Sequence, residues 1–144
     1  MTASDAALAV AAAEAGAAVV RSRFGTPVDK YFKSDRDFAT EADLEAERAI
    51  FEVIAQSRPD DAFEGEEGGL VGIPTASRTW LVDPLCGTLN FAARTPLVAV
   101  NVALRHDGTL AAAAVADPFS RETFWTDGRQ AWCRRDGADL PLAP

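Results

Sequence analysis

Apolar and polar positions follow two different periods along the chain, helical in its first part and alternating from Leu97 onward. From about Ser4 to Phe24 alanine dominates, Leu8, Val19 and Val20 add bulk, and Gly25 and Pro27 supply stop signals, a pattern that predicts a first helix. A second helix is predicted from Thr40. That residue can cap it with Asp43 at the third position, and Ala42, Ala46, Ala49, Ile50, Val53 and Ile54 recur at helical spacing until Arg58-Pro59. Between the two, Val28 to Asp37 mixes Lys30, Lys33 and Arg36 with Asp29, Asp35 and Asp37 and reads as a polar connection.

Beyond the helices, Asp60 to Ile73 holds three glutamates and four glycines and reads as an acidic loop. The apolar run Trp80-Leu81-Val82 predicts a strand that ends at Asp83 and is stopped by Pro84, after which Gly87 and Thr88 open a short helical turn through Phe91. From Leu97 onward the period is two: Val98, Val100, Val102 and Leu104 line one face, Ala99, Asn101 and Ala103 the other. Asp107-Gly108, Asp127-Gly128 and Asp136-Gly137 are turn signals. Ala111 to Ala114, flanked by such a turn and by Asp117-Pro118, reads as another strand. The fold class expected is α+β, an N-terminal helix pair packed on an antiparallel meander, with Trp80, Trp125 and Trp132 in the core and His106 exposed beside a turn. Helices on one face leave the other uncovered, so a homo-oligomer or a partner chain is expected there.

Composition narrows the functional classes. Residues 1–144 amount to one domain by length. With 22 acidic against 14 basic residues, nucleic acid and anionic membranes are poor partners unless a metal intervenes, and Arg134-Arg135 is too small a cluster to alter that. The Ala-rich start has neither a basic leader nor a run of large apolar residues, which predicts neither a signal peptide nor a membrane span. Cys86 and Cys133 form no recognisable disulfide or metal-binding pair, and a cytoplasmic location is expected.

The chemistry gathers around residues 79–91. A carboxylate at a strand end, followed by backbone N–H groups freed at a helix start, offers adjoining places for a cation and an anion, and Mg2+ with a phosphate is the obvious pair. Taken singly, Asp43 is a helix cap, Glu66 a solvated loop charge and Asp83 a turn former.

Together these residues resemble the inositol monophosphatase family. Asp83-Pro84-Leu85-Cys86-Gly87-Thr88-Leu89-Asn90-Phe91 is similar to its Asp-Pro-(Ile/Leu)-Asp-Gly-Thr-x-Asn-Phe signature. Upstream and in family order, Thr40-Glu41-Ala42-Asp43 resembles its Thr-x-x-Asp helix start, and Gly65-Glu66-Glu67 its Gly-Glu-Glu metal loop. The resemblance implies the N-terminal half of a Mg2+-dependent phosphomonoesterase acting on a small phosphorylated metabolite through a metal-activated water. It further implies Glu66, Asp83 and the backbone carbonyl of Leu85 as metal ligands, and the N–H groups of Gly87 and Thr88 for the substrate phosphate. The Thr88 hydroxyl, paired with Asp43, would orient the attacking water. Two departures matter: Cys86 stands where the family places a second carboxylate, a degenerate ligand position, and the sequence given stops before the family's Trp-Asp-x-Ala motif. Both predict impaired catalysis. The alternative reading is a non-catalytic remnant that binds a phosphorylated ligand or a partner chain.

Overall fold

A computed structural model describes residues 2–34 and 38–143. Helix α1 spans Asp5–Arg23, capped by Ser4, whose hydroxyl accepts the Ala7 N–H at 3.1 Å. Helix α2 spans Glu41–Ser57 and begins with the expected capping box: the Thr40 N–H donates to Asp43 Oδ2 at 2.9 Å. The two helices lie side by side on one face of a sheet, α1 over β6 (Ala99–His106) and β7 (Thr109–Ala116), α2 over β5 (Arg78–Cys86). Small residues permit this. Ala9, Ala12, Ala13 and Ala17 are buried along α1, which touches both α2 and the sheet and therefore shows no single apolar stripe.

The polar connection between the helices includes strand, β1 (Lys30–Phe32), which pairs with β2 (Phe38–Thr40) as a small antiparallel ribbon. Positions 35–37 of the expected connection lie outside the described residues. The acidic stretch expected as a loop is also strand: β3 (Ala62–Gly65) turns through residues 66–68 into β4 (Gly69–Val71). Glycine is depleted in strands as a rule, which hides these two from a reading by composition.

The main sheet has the order β10-β9-β8-β7-β6-β5-β3-β4, completed by β8 (Thr123–Thr126), β9 (Ala131–Arg135) and β10 (Ala138–Leu142). From β5 to β10 it is the expected antiparallel meander. Beyond β5 it is mixed, because β3 pairs parallel to β5. The Asp107-Gly108 and Asp136-Gly137 turns have both residues at positive φ, the two-residue hairpin geometry predicted for Asp-Gly. Asp127-Gly128 differs: it opens a four-residue connection in which Asp127 Oδ1 accepts the N–H groups of Arg129 and Gln130, each at 2.9 Å.

Trp80 is fully buried, as expected. Trp125 and Trp132 are not core residues in that sense. They stack on each other, with ring centroids 4.2 Å apart, and both remain partly exposed, Trp125 lying against the edge of the core, where α1 still meets β8. Arg134 and Arg135 are tied down by Asp139 and Glu122 respectively. His106 is exposed at the end of β6.

The sheet's other face carries Leu81, Ala103 and Ala113 in one cross-strand row and Asp83, Asn101, Val115 and Phe124 in the next. Phe124 is 42% exposed there, and a groove of about 620 Å3 runs over Leu81, Ala103 and Ala113 to Glu66 and Asp83. Neither helix reaches this face. Among the described residues no helix is long and apolar enough to cross a membrane.

Candidate active site

The parallel β3–β5 pair determines where two carboxylates emerge. Its register sets Gly65 against Val82, so the next residues stand side by side, Glu66 just past the end of β3 and Asp83 at the last regular rung of β5, which runs on to Cys86 instead of ending at Asp83. The Glu66 N–H donates to the Val82 carbonyl at 3.0 Å and locks that juxtaposition into the backbone. An antiparallel pair would have sent the two to opposite ends.

After Asp83 the ladder with β6 breaks until Cys86 meets Ala99, an irregularity at Pro84, which has no N–H to donate. Asp83 Oδ1 accepts the Leu85 N–H at 3.3 Å. Gly87 then takes a φ of 99°, and a Cβ there would lie 2.8 Å from the Leu97 carbonyl oxygen, so glycine is required twice over. The chain thus turns into α3 (Thr88–Ala92), with Phe91 buried beneath it.

Thr88 and Asp43, 45 residues apart in sequence, meet at this turn. The Thr88 hydroxyl donates to Asp43 Oδ1 at 2.9 Å and lies 3.1 Å from the Leu85 carbonyl oxygen. Asp43 Oδ2 is held by the Thr40 N–H and, at 2.6 Å, by the Thr40 hydroxyl. The carboxyl is 0% exposed, and burial pushes its pKa above the ordinary value against the pull of these hydrogen bonds. A raised carboxyl pKa means that the folded chain holds the proton more tightly than the unfolded one. Asp43's contribution to stability is therefore greatest at acid pH and falls as pH rises from the ordinary carboxylate range through the folded value. We expect Asp43→Asn to remove that component: in urea unfolding at several pH values, the wild type should lose stability relative to the variant as pH rises through the window. A pH-independent difference would show that Asp43 titrates normally in the folded chain.

Lys33 borders this region unannounced by the sequence, beside Glu67 of the Gly65-Glu66-Glu67 stretch. Lys33 Nζ stands 3.0 Å from Glu67 and 3.7 Å from Glu66. The Glu67 side chain is only 3% exposed, and burial raises its pKa despite Lys33. Cys86 is exposed, and its thiol is pushed up by partial desolvation first and then by the charges of Asp83 and Glu66. The thiol stays protonated and neutral at pH 7, in a negative potential that would favour a cation.

Among the described residues no three His, Cys, Asp or Glu side chains converge closely enough to hold a metal outright. Carboxylate and carbonyl oxygens such as those of Glu66, Asp83 and Leu85 are the hard donors that Mg2+ takes, whereas a thiol such as that of Cys86 is a poor ligand for it.

A sequence model of the Inositol monophosphatase family matches residues 2–143. The chain belongs to that family. It is 41% identical over 96 residues to an inositol-1-monophosphatase of Caulobacter vibrioides, an alignment covering 66% of this chain and 38% of that protein. With the chloroplastic phosphatase IMPL1 of Arabidopsis thaliana it shares 39% identity over 114 residues, 79% of this chain and 31% of that one. The solved extragenic suppressor protein SuhB of Bartonella henselae superposes with a TM-score of 0.82 at 31% identity, over 89% of this chain and 51% of that one. This inositol monophosphatase-family chain thus spans less than half the length of those two curated relatives and about half of the solved one.

Proposed function

We propose that the chain is the N-terminal portion, folding as one domain, of a metal-dependent phosphomonoesterase that hydrolyses a small phosphorylated metabolite in the cytoplasm, and that it is impaired as it stands. The observation that carries this reading is the emergence of Glu66 and Asp83 from adjacent parallel strands beside the Asp43–Thr88 hydroxyl pair.

In this reading Glu66, Asp83 and the Leu85 carbonyl would hold one Mg2+. When bound, that ion would polarise a water and the phosphoryl oxygens. Gly87 and Thr88 lie where their backbone N–H groups could meet a phosphate, since the first N–H groups of a helix lack carbonyl partners. Thr88, whose hydroxyl proton is drawn towards buried Asp43, keeps lone pairs that could accept a hydrogen bond from water. Asp43 fixes that orientation. The uncovered sheet face, continuous with Glu66 and Asp83 through the groove, is where a covering layer, a partner chain or a second copy, would complete the site.

Calorimetric titration with Mg2+ and Mn2+ should find one weak site, abolished in Asp83→Ala. Two tight sites in the unmodified chain, or binding indifferent to Asp83→Ala, would overturn the assignment.

A further inference from the structure

Helix α2 carries a second buried acid one turn beyond Asp43. Glu47 is 8% exposed, and its carboxylate spends both oxygens on the β3–β4 turn: Oε1 accepts the Glu67 N–H at 2.9 Å, Oε2 the Gly68 N–H at 2.7 Å. The turn is shaped around it. A Cβ on Gly65 would sit 2.2 Å from Oε1, and one on Gly68 2.8 Å from Oε2, so both glycines on either side of the Glu66-Glu67 pair leave room for this carboxylate. Hydrogen bonds to an ionised acceptor are the stronger kind, and a helix is a rigid base from which to make them.

We propose that Glu47 is the positioning residue of the Glu66 turn, fixing from α2 the backbone that presents Glu66 beside Asp83. The same helix then registers both halves of the site, Asp43 against Thr88 and Glu47 against residues 67 and 68. The metal-related consequence rests on the function proposed above; the hold on the turn does not. The requirement is for two acceptors. An amide at position 47 keeps the shape and one acceptor but sets its NH2 against the other backbone N–H.

The test is Glu47→Gln in the full chain, read by hydrogen exchange at the Glu67 and Gly68 amides and by Mn2+ affinity from electron paramagnetic resonance. Protection at one or both amides should fall about tenfold or more, and Mn2+ affinity should drop roughly 10- to 100-fold, the range found when a group that orients a metal ligand is removed. Core amides of β6 should keep their protection. Gly68→Ala displaces the carboxylate from the loop side, leaves the helix intact and should give the same two losses; combined with Glu47→Gln it should add little further. Unchanged protection at both amides in these variants would overturn the proposal, as would lost protection with Mn2+ affinity within twofold of wild type. A wild-type chain that takes up no Mn2+ removes the metal reading, and the exchange arm then decides alone whether Glu47 holds the turn.

Discussion

Cys86→Asp, combined with the second half of a family domain supplied by fusion or in trans, should raise Mg2+-dependent phosphate release by orders of magnitude, whereas Cys86→Asp alone should leave it near background. The substitution restores a hard oxygen ligand at an exposed position whose neighbours, Asp83 and Glu66, already create a negative potential. It should therefore tighten Mg2+ binding by itself. Turnover is expected to need more, because an uncovered groove leads to those carboxylates. Thr88→Ala in the restored protein is the control. It removes the hydroxyl directed at Asp43 without touching Glu66 or Asp83, and should lower kcat while sparing metal affinity. Robust Mg2+-dependent phosphatase activity from the unmodified 144 residues would show that the roles given to Cys86 and to the covering layer are wrong.

The largest loss of stability is expected from Trp80→Ala. The indole is fully buried under the helices, and its N–H donates to Asp61 Oδ2 at 2.8 Å. Asp61 in turn accepts from Arg78 Nε at 2.9 Å, and Arg78 reaches Asp5 at 2.8 Å, so the tryptophan joins the network that anchors the start of β5 to the start of α1. Truncation leaves a cavity and removes one of Asp61's donors, for a loss of about 3–5 kcal/mol. Much of the stability of an ordinary domain would go with it. Trp80→Phe, which fills most of the volume but still forfeits the hydrogen bond, should cost clearly less. Urea unfolding monitored by circular dichroism decides the matter, and a Trp80→Ala loss below about 1 kcal/mol, the size of an average substitution, would contradict the packing described.

The readability of the fold from sequence divides along the nature of the signal. Helix boundaries at Thr40 and Arg58, the alternation from Val98 to Leu104 and the Asp107-Gly108 hairpin are written in local chemistry, and they are legible for that reason. The β3–β4 hairpin is written in glycines and glutamates, because Gly65 and Gly68 make room for the side chain of Glu47, far upstream on α2. No local rule contains that fact. Parallel pairing between β3 and β5 is equally non-local. Of the site, Asp43, Glu66, Asp83 and Thr88 were visible through their motifs, and the structure brings Asp43 to Thr88 and Glu66 to the side of Asp83. Glu47 left one trace that could have been used: an acidic residue on the stripe that buries Ala46, Ile50 and Ile54, where a charge is tolerated only with partners waiting for it. Lys33 left none, since its approach to Glu66 and Glu67 depends on how the β1–β2 ribbon lies.

The parallel β3–β5 pair is held by main-chain hydrogen bonds, and the bond from Glu66 N–H to the Val82 carbonyl does not depend on which side chains residues 66, 83 and 86 carry. Inheritance can therefore rewrite the reactive positions of this chain one at a time without paying in foldability. An exchange of a carboxylate for a thiol at position 86 would leave that frame intact, and one further exchange would return the oxygen donor. In such a scaffold the placement of these positions belongs to the backbone, while the identity of each side chain can change and change back without the backbone being rebuilt.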